Sequence, residues 1–234
     1  MLNIFIITPF PEMVKPIINQ CMLKKAIDNN MVKIKVVNLF NYKNKASDRI
    51  DDYPFGGGEG MIIKAEPIYN ALQSIDYKDA KIIFPSPDGK LFNQSLANDF
   101  SKEKNLIFIC GHYKGIDQRI RDKYVTDEIS IGDFVLTSGE IPAMLIVDSI
   151  VRLLPGVLNT IESAKKDSFS HELLDGPHYT RPREFNGMKV PNILLSGNHE
   201  DIKKWFLNER KNKTKKRRQD LWENYKLELE DNGE

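Results

Sequence analysis

Three uninterrupted apolar runs, NIFII at 3–7, KIIF at 81–84 and LIFIC at 106–110, constrain this chain most. Strands buried on both faces read as continuous runs of this kind, whereas strands with one wet face alternate. VKIKVVNLF at 32–40 supplies another strand. Between the strands lie helical segments: one running to about Asp28 despite Pro16, one near 65–74 and one near 94–103. Strands alternating with helices predict an α/β fold, a mostly parallel sheet covered on both faces.

EISIGDFVLTSGEIPAM, at 128–144, also reads as a buried strand, interrupted by Gly132 and Gly139 and closed by Pro142. Glycine inside an apolar run costs stability and marks close approach to the backbone. From Pro142 the apolar positions Met144, Val147, Val151 and Leu154 recur at helical spacing, and that helix stops at Pro155-Gly156.

With 234 residues, 41% hydrophobic and 29% charged, the chain suits one good core plus a smaller second domain. Disordered, collagenous and disulfide-rich classes do not fit. Cys110 ends an apolar run and reads as an inert buried thiol; Cys21 and Cys110 together cannot form a Cys-rich zinc site. No basic leader and no apolar segment of about 20 residues is present, so a cytoplasmic protein is expected.

Net charge is only +1, but its distribution is uneven. Nine Lys or Arg and one acid lie between Lys203 and Arg218, and six acids follow from Asp220. Such a run fits a solvated helix face or a polyanion site equally well. Residues 159–187 are irregular and read as a long linker, after which helices near 199–211 and 217–229 form a small C-terminal domain. The expected organisation is a ligand-binding α/β domain over 1–160, a linker over 161–175 and a helical domain over 176–234.

FPSPDG (84–89), CGHYKG (110–115) and IGDFVLTSGEIP (131–142) sit where parallel strands would end, the usual place for ligands in open α/β sheets. Their glycines expose backbone groups to a flat, nucleotide-like ligand. The Walker and dinucleotide phosphate motifs are missing, which disfavours a nucleotide hydrolase.

FPEM (10–13), DDYPFGGGEGM (51–61), CGHYKGID (110–117), SIGDFVLTSGEIPAM (130–144), VDSIVRLLPGVL (147–158), DSF (167–169), LLDGPHYTRP (173–182), VPNILLSGNHEDIKKW (190–205) and RRQDLWENY (217–225) occur in that order. Through them the chain resembles, over almost its whole length, the TrmD family, bacterial tRNA (guanine-N1-)-methyltransferases of the SPOUT class. The resemblance implies a deep C-terminal trefoil knot, S-adenosylmethionine as methyl donor, tRNA as substrate, methylation of guanosine 37 at N1, and a homodimer with active sites at the subunit interface. Magnesium dependence is a further family expectation, for which the sequence offers no ligand spacing.

Carried over by this resemblance, the donor loops would be built from Phe84, Pro85, Pro87, Gly111, Tyr113, Ile131, Gly132, Asp133, Phe134, Val135, Leu136, Ser138, Gly139 and Pro142. Asp167 would be the general base and Arg152 the donor to guanine O6. Asp51, Gly57, Gly58, Met61, Arg181, Ser196, Asn198 and His199 would meet the tRNA, with the 203–218 run on the anticodon stem. His178 and His199 are also consistent with ordinary structural histidines. The chain departs from the family pattern at Lys114 and Gln118, where acids are usual, and at Tyr53, Ser138 and Gln219, where arginine, glycine and proline are usual. A SPOUT ribose 2′-O-methyltransferase, or a non-catalytic RNA-binding module of the same fold, is the alternative; the former would not need DSF and LLDGPHYTRP.

Overall fold

The computed structural model describes residues 1–75, 78–158, 167–169 and 172–231. Two compact units divide the chain, Met1–Asn159 and Thr160–Glu234.

In the first unit, five strands form a wholly parallel sheet in the order β2-β1-β6-β5-β7: β1 Leu2–Thr8, β2 Val32–Asn38, β5 Lys81–Leu91, β6 Asn105–Ile109 and β7 Asp127–Ser130. Alternate side chains point to opposite faces, so both faces carry a core. Leu106 and Phe108 join Ile4 and Ile6 beneath α1 (Pro11–Ile18), α2 (Cys21–Asp28), α4 (Gln94–Ser101) and α6 (Glu140–Val151). Ile107 and Ile109 join Ile7, beneath α3 (Ala65–Gln73) and α5 (Gln118–Tyr124). That two-sided burial is why the strands read as continuous apolar runs.

Several boundaries differ from expectation. The segment leading to Asp28 is two helices, α1 and α2, parted at Asn19–Gln20, and Pro16 stays inside α1. β2 stops at Asn38, whose side chain caps a short 3-10 turn over Leu39–Tyr42. FPSPDG (84–89), expected as a loop beyond a strand end, lies within an eleven-residue β5 whose register against β7 shifts between Pro85 and Lys90. Two-residue strands β3 (Asp51–Asp52) and β4 (Ile62–Ile63) pair antiparallel around the glycine-rich loop.

The stretch 128–144 is the largest correction. It is strand only to Ser130, then loop, and α6 begins at Glu140 with Pro142 in its first turn, where a missing N–H costs nothing. Phe134 and Val135 are more than half exposed. Their apolar character therefore does not come from burial in the core.

The second unit holds a hairpin of β8 (Glu184–Phe185) and β9 (Met188–Lys189), which begins at the end of the irregular stretch 159–187 and closes just beyond it. α7 (His199–Arg217) runs longer than expected, and α8 (Gln219–Asp231) has the expected length but starts two residues later. Residues 173–176 lie along α7: Leu174 N donates to Thr214 Oγ1 at 2.9 Å, Arg210 Nε to Leu174 O at 3.3 Å, and Lys213 Nζ to Asp175 O at 2.7 Å.

Candidate active site

Because the sheet is parallel, β6 and β7 present their carboxyl ends along one edge, and the loops that leave them, together with the irregular middle of β5 at 84–88, enclose a cavity of about 370 Å³. Of the expected donor residues, Phe84, Pro85, Pro87, Gly111, Tyr113, Ile131, Gly132, Phe134, Val135, Leu136, Ser138, Gly139 and Pro142 line it. Asp133 does not.

Two glycines are fixed by geometry. A Cβ at Gly139 would lie 2.6 Å from Gly111 N and 2.9 Å from Cys110 Cα, and Gly139 N donates to Gly111 O at 2.9 Å. Gly132 adopts φ +140°, which L side chains rarely reach. The loops are thus joined backbone to backbone.

A buried polar network fastens the same junction. Glu140 is 1% exposed. It accepts from Thr8 Oγ1 at the end of β1, and His112 Nε2 lies 2.7 Å from its other oxygen. Thr8 in turn accepts from Phe10 N at 2.8 Å, and the Phe10 ring packs 4.7 Å from His112. Burial acts first on the Glu140 carboxyl, and upward; hydrogen bonds from His112 and then Thr8 act downward and prevail, holding it below the ordinary carboxylate range. Three chain segments far apart in sequence meet at this one carboxylate. Neighbouring Cys110 is buried, and burial followed by Glu140 pushes its thiol well up, as befits an inert thiol.

On the opposite side, Arg121 grips Glu128 with both donors at 2.8 and 2.6 Å, bonds Asp88 at 2.7 Å and covers the Phe84 ring at 5.3 Å. Asp88 also accepts from Ser86, and that bond, with Arg121 second, lowers its carboxyl. His112, Glu140, Arg121 and Asp88 were not expected from the residues. The recurrence of GHYKG and SGE, at 111–115 and 138–140, was the available signal for the first two; nothing local in sequence pairs Arg121 with Asp88.

One observation shows that the cavity wall offers a ligand an unmet hydrogen-bonding group. Ser138 Oγ is buried at the cavity wall and, among the described residues, finds no hydrogen-bond partner. Buried hydroxyls without partners are costly and uncommon in proteins. The position is also one where this chain departs from the family glycine.

Of the other departures, Lys114 is exposed but also lines the cavity, its aliphatic stem running along the glycine loop 3.1 Å from where a Cβ on Gly60 would lie. Gln118 opens α5 and bonds Asp122 at 2.7 Å, away from the cavity lining.

Asp51 is buried and accepts from Arg49 Nε at 3.0 Å, and Arg49 also reaches Met61 Sδ at 3.2 Å. Gly57 and Gly58 carry φ of +81° and +114° at an open loop tip, where Phe55 is fully exposed. Met61 O accepts from Lys114 N at 3.1 Å, so the glycine loop and the donor loop touch through the backbone. Arg152 caps the end of α6, its N–H bonding Asp148 O at 3.2 Å.

Asp167 belongs to the second unit, and so do Arg181, Ser196, Asn198 and His199, the other residues expected to meet tRNA. Asn198 is the N-cap of α7, its side chain accepting from Glu200 N at 3.1 Å and Asp201 N at 3.4 Å; His199 is the first helical residue. Ser196 Oγ donates to Ile193 O, and Arg181 is exposed beside a cis proline bond. His178 pairs with Asp175 at 2.7 Å, the structural alternative for that histidine. The basic run is divided. Arg210 and Lys213 bind carbonyls of 174–175, and Lys211, Lys215 and Arg218 lie over Tyr225, Trp222 and Phe169 at 5.4, 6.0 and 5.7 Å. Lys203, Lys204, Lys216 and Arg217 are exposed and make none of these contacts. Among the described residues no cluster of three His, Cys, Asp or Glu could hold a metal ion, and no helix is long and apolar enough to cross a membrane.

A family model described as tRNA (Guanine-1)-methyltransferase TrmD matches residues 2–224. The chain belongs to that family. Similar curated proteins share its length. A tRNA (guanine-N(1)-)-methyltransferase of Listeria monocytogenes serovar 1/2a is 49% identical over 97% of this chain and 94% of that protein. Those of Dictyoglomus turgidum (51%; 99% and 94%) and Staphylococcus carnosus (49%; 96% and 92%) are close to the same values. Family membership and the cavity now bear on the same three loops.

Proposed function

We propose that this family member transfers the methyl group of S-adenosylmethionine to N1 of guanosine 37 in tRNA, the nucleotide 3′ of the anticodon. The observation that carries this reading is the cavity between the middle of β5 and the carboxyl ends of β6 and β7, with a Ser138 hydroxyl in its wall that has no partner among the described residues, in a chain that matches the family from residue 2 to 224. The thirteen expected residues that line it would hold the donor, and the knot implied by the family would hold the loops together.

Bound there, the donor supplies a methyl group already activated on a sulfonium. The task left to the protein lies on the guanine. N1 carries a proton at neutral pH, and its removal puts negative charge on O6. Asp167 takes the N1 proton while the N1–carbon bond forms and the carbon–sulfur bond breaks; Arg152 donates to O6 and stabilises the charge that develops there. Holding the two reactants in line supplies much of the remaining acceleration. Asp51, Gly57, Gly58 and Met61 would border the target base, and Arg181, Ser196, Asn198, His199 and the exposed lysines of α7 would follow the RNA backbone, neutralising phosphates without reading sequence. Magnesium, if the reaction uses it, is assigned no ligand in this chain.

The working form is proposed to be a homodimer in the cytoplasm. Phe10, Met13 and Ile17 at and along α1, and Ile141 and Leu145 on α6, are all more than a third exposed and fall at three- and four-residue spacings on helices that pack together. Such a paired apolar face suits a second copy.

The test is methylation of a transcript with G37, followed by mapping of the product. Methyl at N1 of that guanosine is expected, and methyl on a ribose hydroxyl would overturn the reading in favour of the 2′-O alternative. Asp167→Asn should lower the single-turnover rate by about 10²–10⁴-fold while calorimetry finds donor binding within twofold of the parent.

A further inference from the structure

The acid assigned as base sits in a short turn, Asp167–Ser168–Phe169, and this turn is fastened to the C-terminal unit by contacts that do not involve Asp167's own carboxylate. Phe169 adopts φ +70°, and its N–H donates to Leu173 O at 3.0 Å. Asp175 N donates to Ser168 Oγ at 3.0 Å. The Phe169 ring, about half exposed, lies under the Arg218 guanidinium at 5.7 Å.

Arg218 has an unusual position for this purpose. It is the C-cap of α7, its N–H bonded to Thr214 O at 2.8 Å, and its own carbonyl accepts from Trp222 N at 3.0 Å in the next helix. Its guanidinium is oriented by Asp220 at 2.8 Å, whose carboxyl that bond holds down at about 2. The segment between the turn and α7 is laced to the same helix by Thr214, Arg210 and Lys213. The turn and residues 174–175 are thus both in contact with α7 or its C-cap.

We infer that Arg218 is a positioning residue for the methyl transfer: stacked on Phe169 and held by Asp220, it locks the turn that carries Asp167 to the basic helix, so that RNA gripped by α7 sets the acid at the same time. This rests on the assignment of Asp167 as base. It explains why an arginine at the end of a basic run should face an aromatic ring. A planar guanidinium stacks where a lysine ammonium does not hold a fixed plane.

The experiment uses the full-length protein, saturating S-adenosylmethionine and a tRNA transcript with G37. Arg218→Lys keeps the charge that phosphate would feel but loses the planar stack; Phe169→Ala removes the ring and no charge; Phe169→Tyr keeps the ring. We expect Arg218→Lys and Phe169→Ala each to lower the single-turnover rate about tenfold, with RNA and donor dissociation constants and melting temperature close to the parent. The double variant should be no slower than either single one, since both break one contact, and Phe169→Tyr should restore the rate. A parent-like rate in Arg218→Lys and Phe169→Ala, a loss confined to RNA affinity, or additive losses would each overturn the inference. Asp167→Asn, measured alongside, separates the two claims. If it is inactive while the stacking variants are normal, only the role of Arg218 fails; if it is fully active, the base assignment fails.

Discussion

Two carboxylates of this protein hold a cationic or polarisable partner at nearly the same distance in opposite surroundings. Glu140 meets His112 at 2.7 Å with 1% of its side chain exposed, while Asp220 meets Arg218 at 2.8 Å with 61% exposed. In water such a pair contributes about 0–1 kcal/mol. Sealed from water, removing one partner costs about 1–3 kcal/mol for each buried group left without a hydrogen bond. The first unit thus builds its cavity as a preformed object with high cost for any loss. The second builds an open charged surface whose contacts are individually cheap to break and remake, which suits a large flexible polyanion.

The largest effect that would break this contrast is at Glu140. Glu140→Ala leaves Thr8 and His112 without their shared acceptor and should destabilise the protein by about 2–4 kcal/mol, roughly 1–3 kcal/mol for each unsatisfied group, whereas Asp220→Ala should shift the melting temperature little. Glu140→Gln keeps the shape and shows the sign of the pH dependence. Because the folded carboxyl titrates below its ordinary value, its stabilising contribution is fully present above the usual carboxylate range and is lost as pH falls through the depressed folded value. Melting temperature measured from pH 7 to pH 3 should therefore fall more steeply in the parent than in Glu140→Gln. Parallel curves would show that the carboxylate's charge contributes nothing there.

How much was legible in the sequence follows the same division. The parallel sheet was legible because two-sided burial leaves continuous apolar runs, and the cavity loops because backbone approach demands glycine at positions such as 132 and 139. Residues 131–138 read both as strand, by composition, and as a loop beyond a strand end; the loop reading holds, and the strand reading failed because Phe134, Val135 and Leu136 line the cavity and its rim, which composition cannot distinguish from core. The lacing of Arg210 and Lys213 to 174–175 was hidden for a related reason. A lysine bound to a carbonyl and a lysine in solvent look identical in a charge count. Two-residue strands such as β8 and β9 leave too little pattern to register at all.

A smaller effect sharpens the comparison inside the cavity. Ser138→Ala removes a buried hydroxyl that has no partner among the described residues, so the ligand-free protein should melt at the same temperature or slightly higher. If the bound donor supplies the missing partner, its affinity should fall by about two- to tenfold, the value of one hydrogen bond of roughly 0.5–1.5 kcal/mol. Opposite directions for stability and affinity are the signature. Unchanged donor binding, read by calorimetry, would remove Ser138 from the site.

The smallest effect tests whether the basic helix is one surface or two. Lys213 donates to Asp175 O at 2.7 Å and is half-buried, while Lys216, three residues on, is exposed and makes no such bond. Lys213→Ala should lower the stability of the second unit by about 1 kcal/mol, the usual net value of a hydrogen bond, and should weaken RNA binding chiefly through that loss. Lys216→Ala should leave the melting temperature alone and reduce the slope of log affinity against log salt by about 0.7–0.9, as expected when one phosphate contact disappears. If both variants changed the salt slope equally and neither changed stability, the run would be a single solvated polyanion face after all. The carbonyl bond of Lys213 would then carry no structural weight, and α7 would hold segment 173–176 through Thr214 and Arg210 alone.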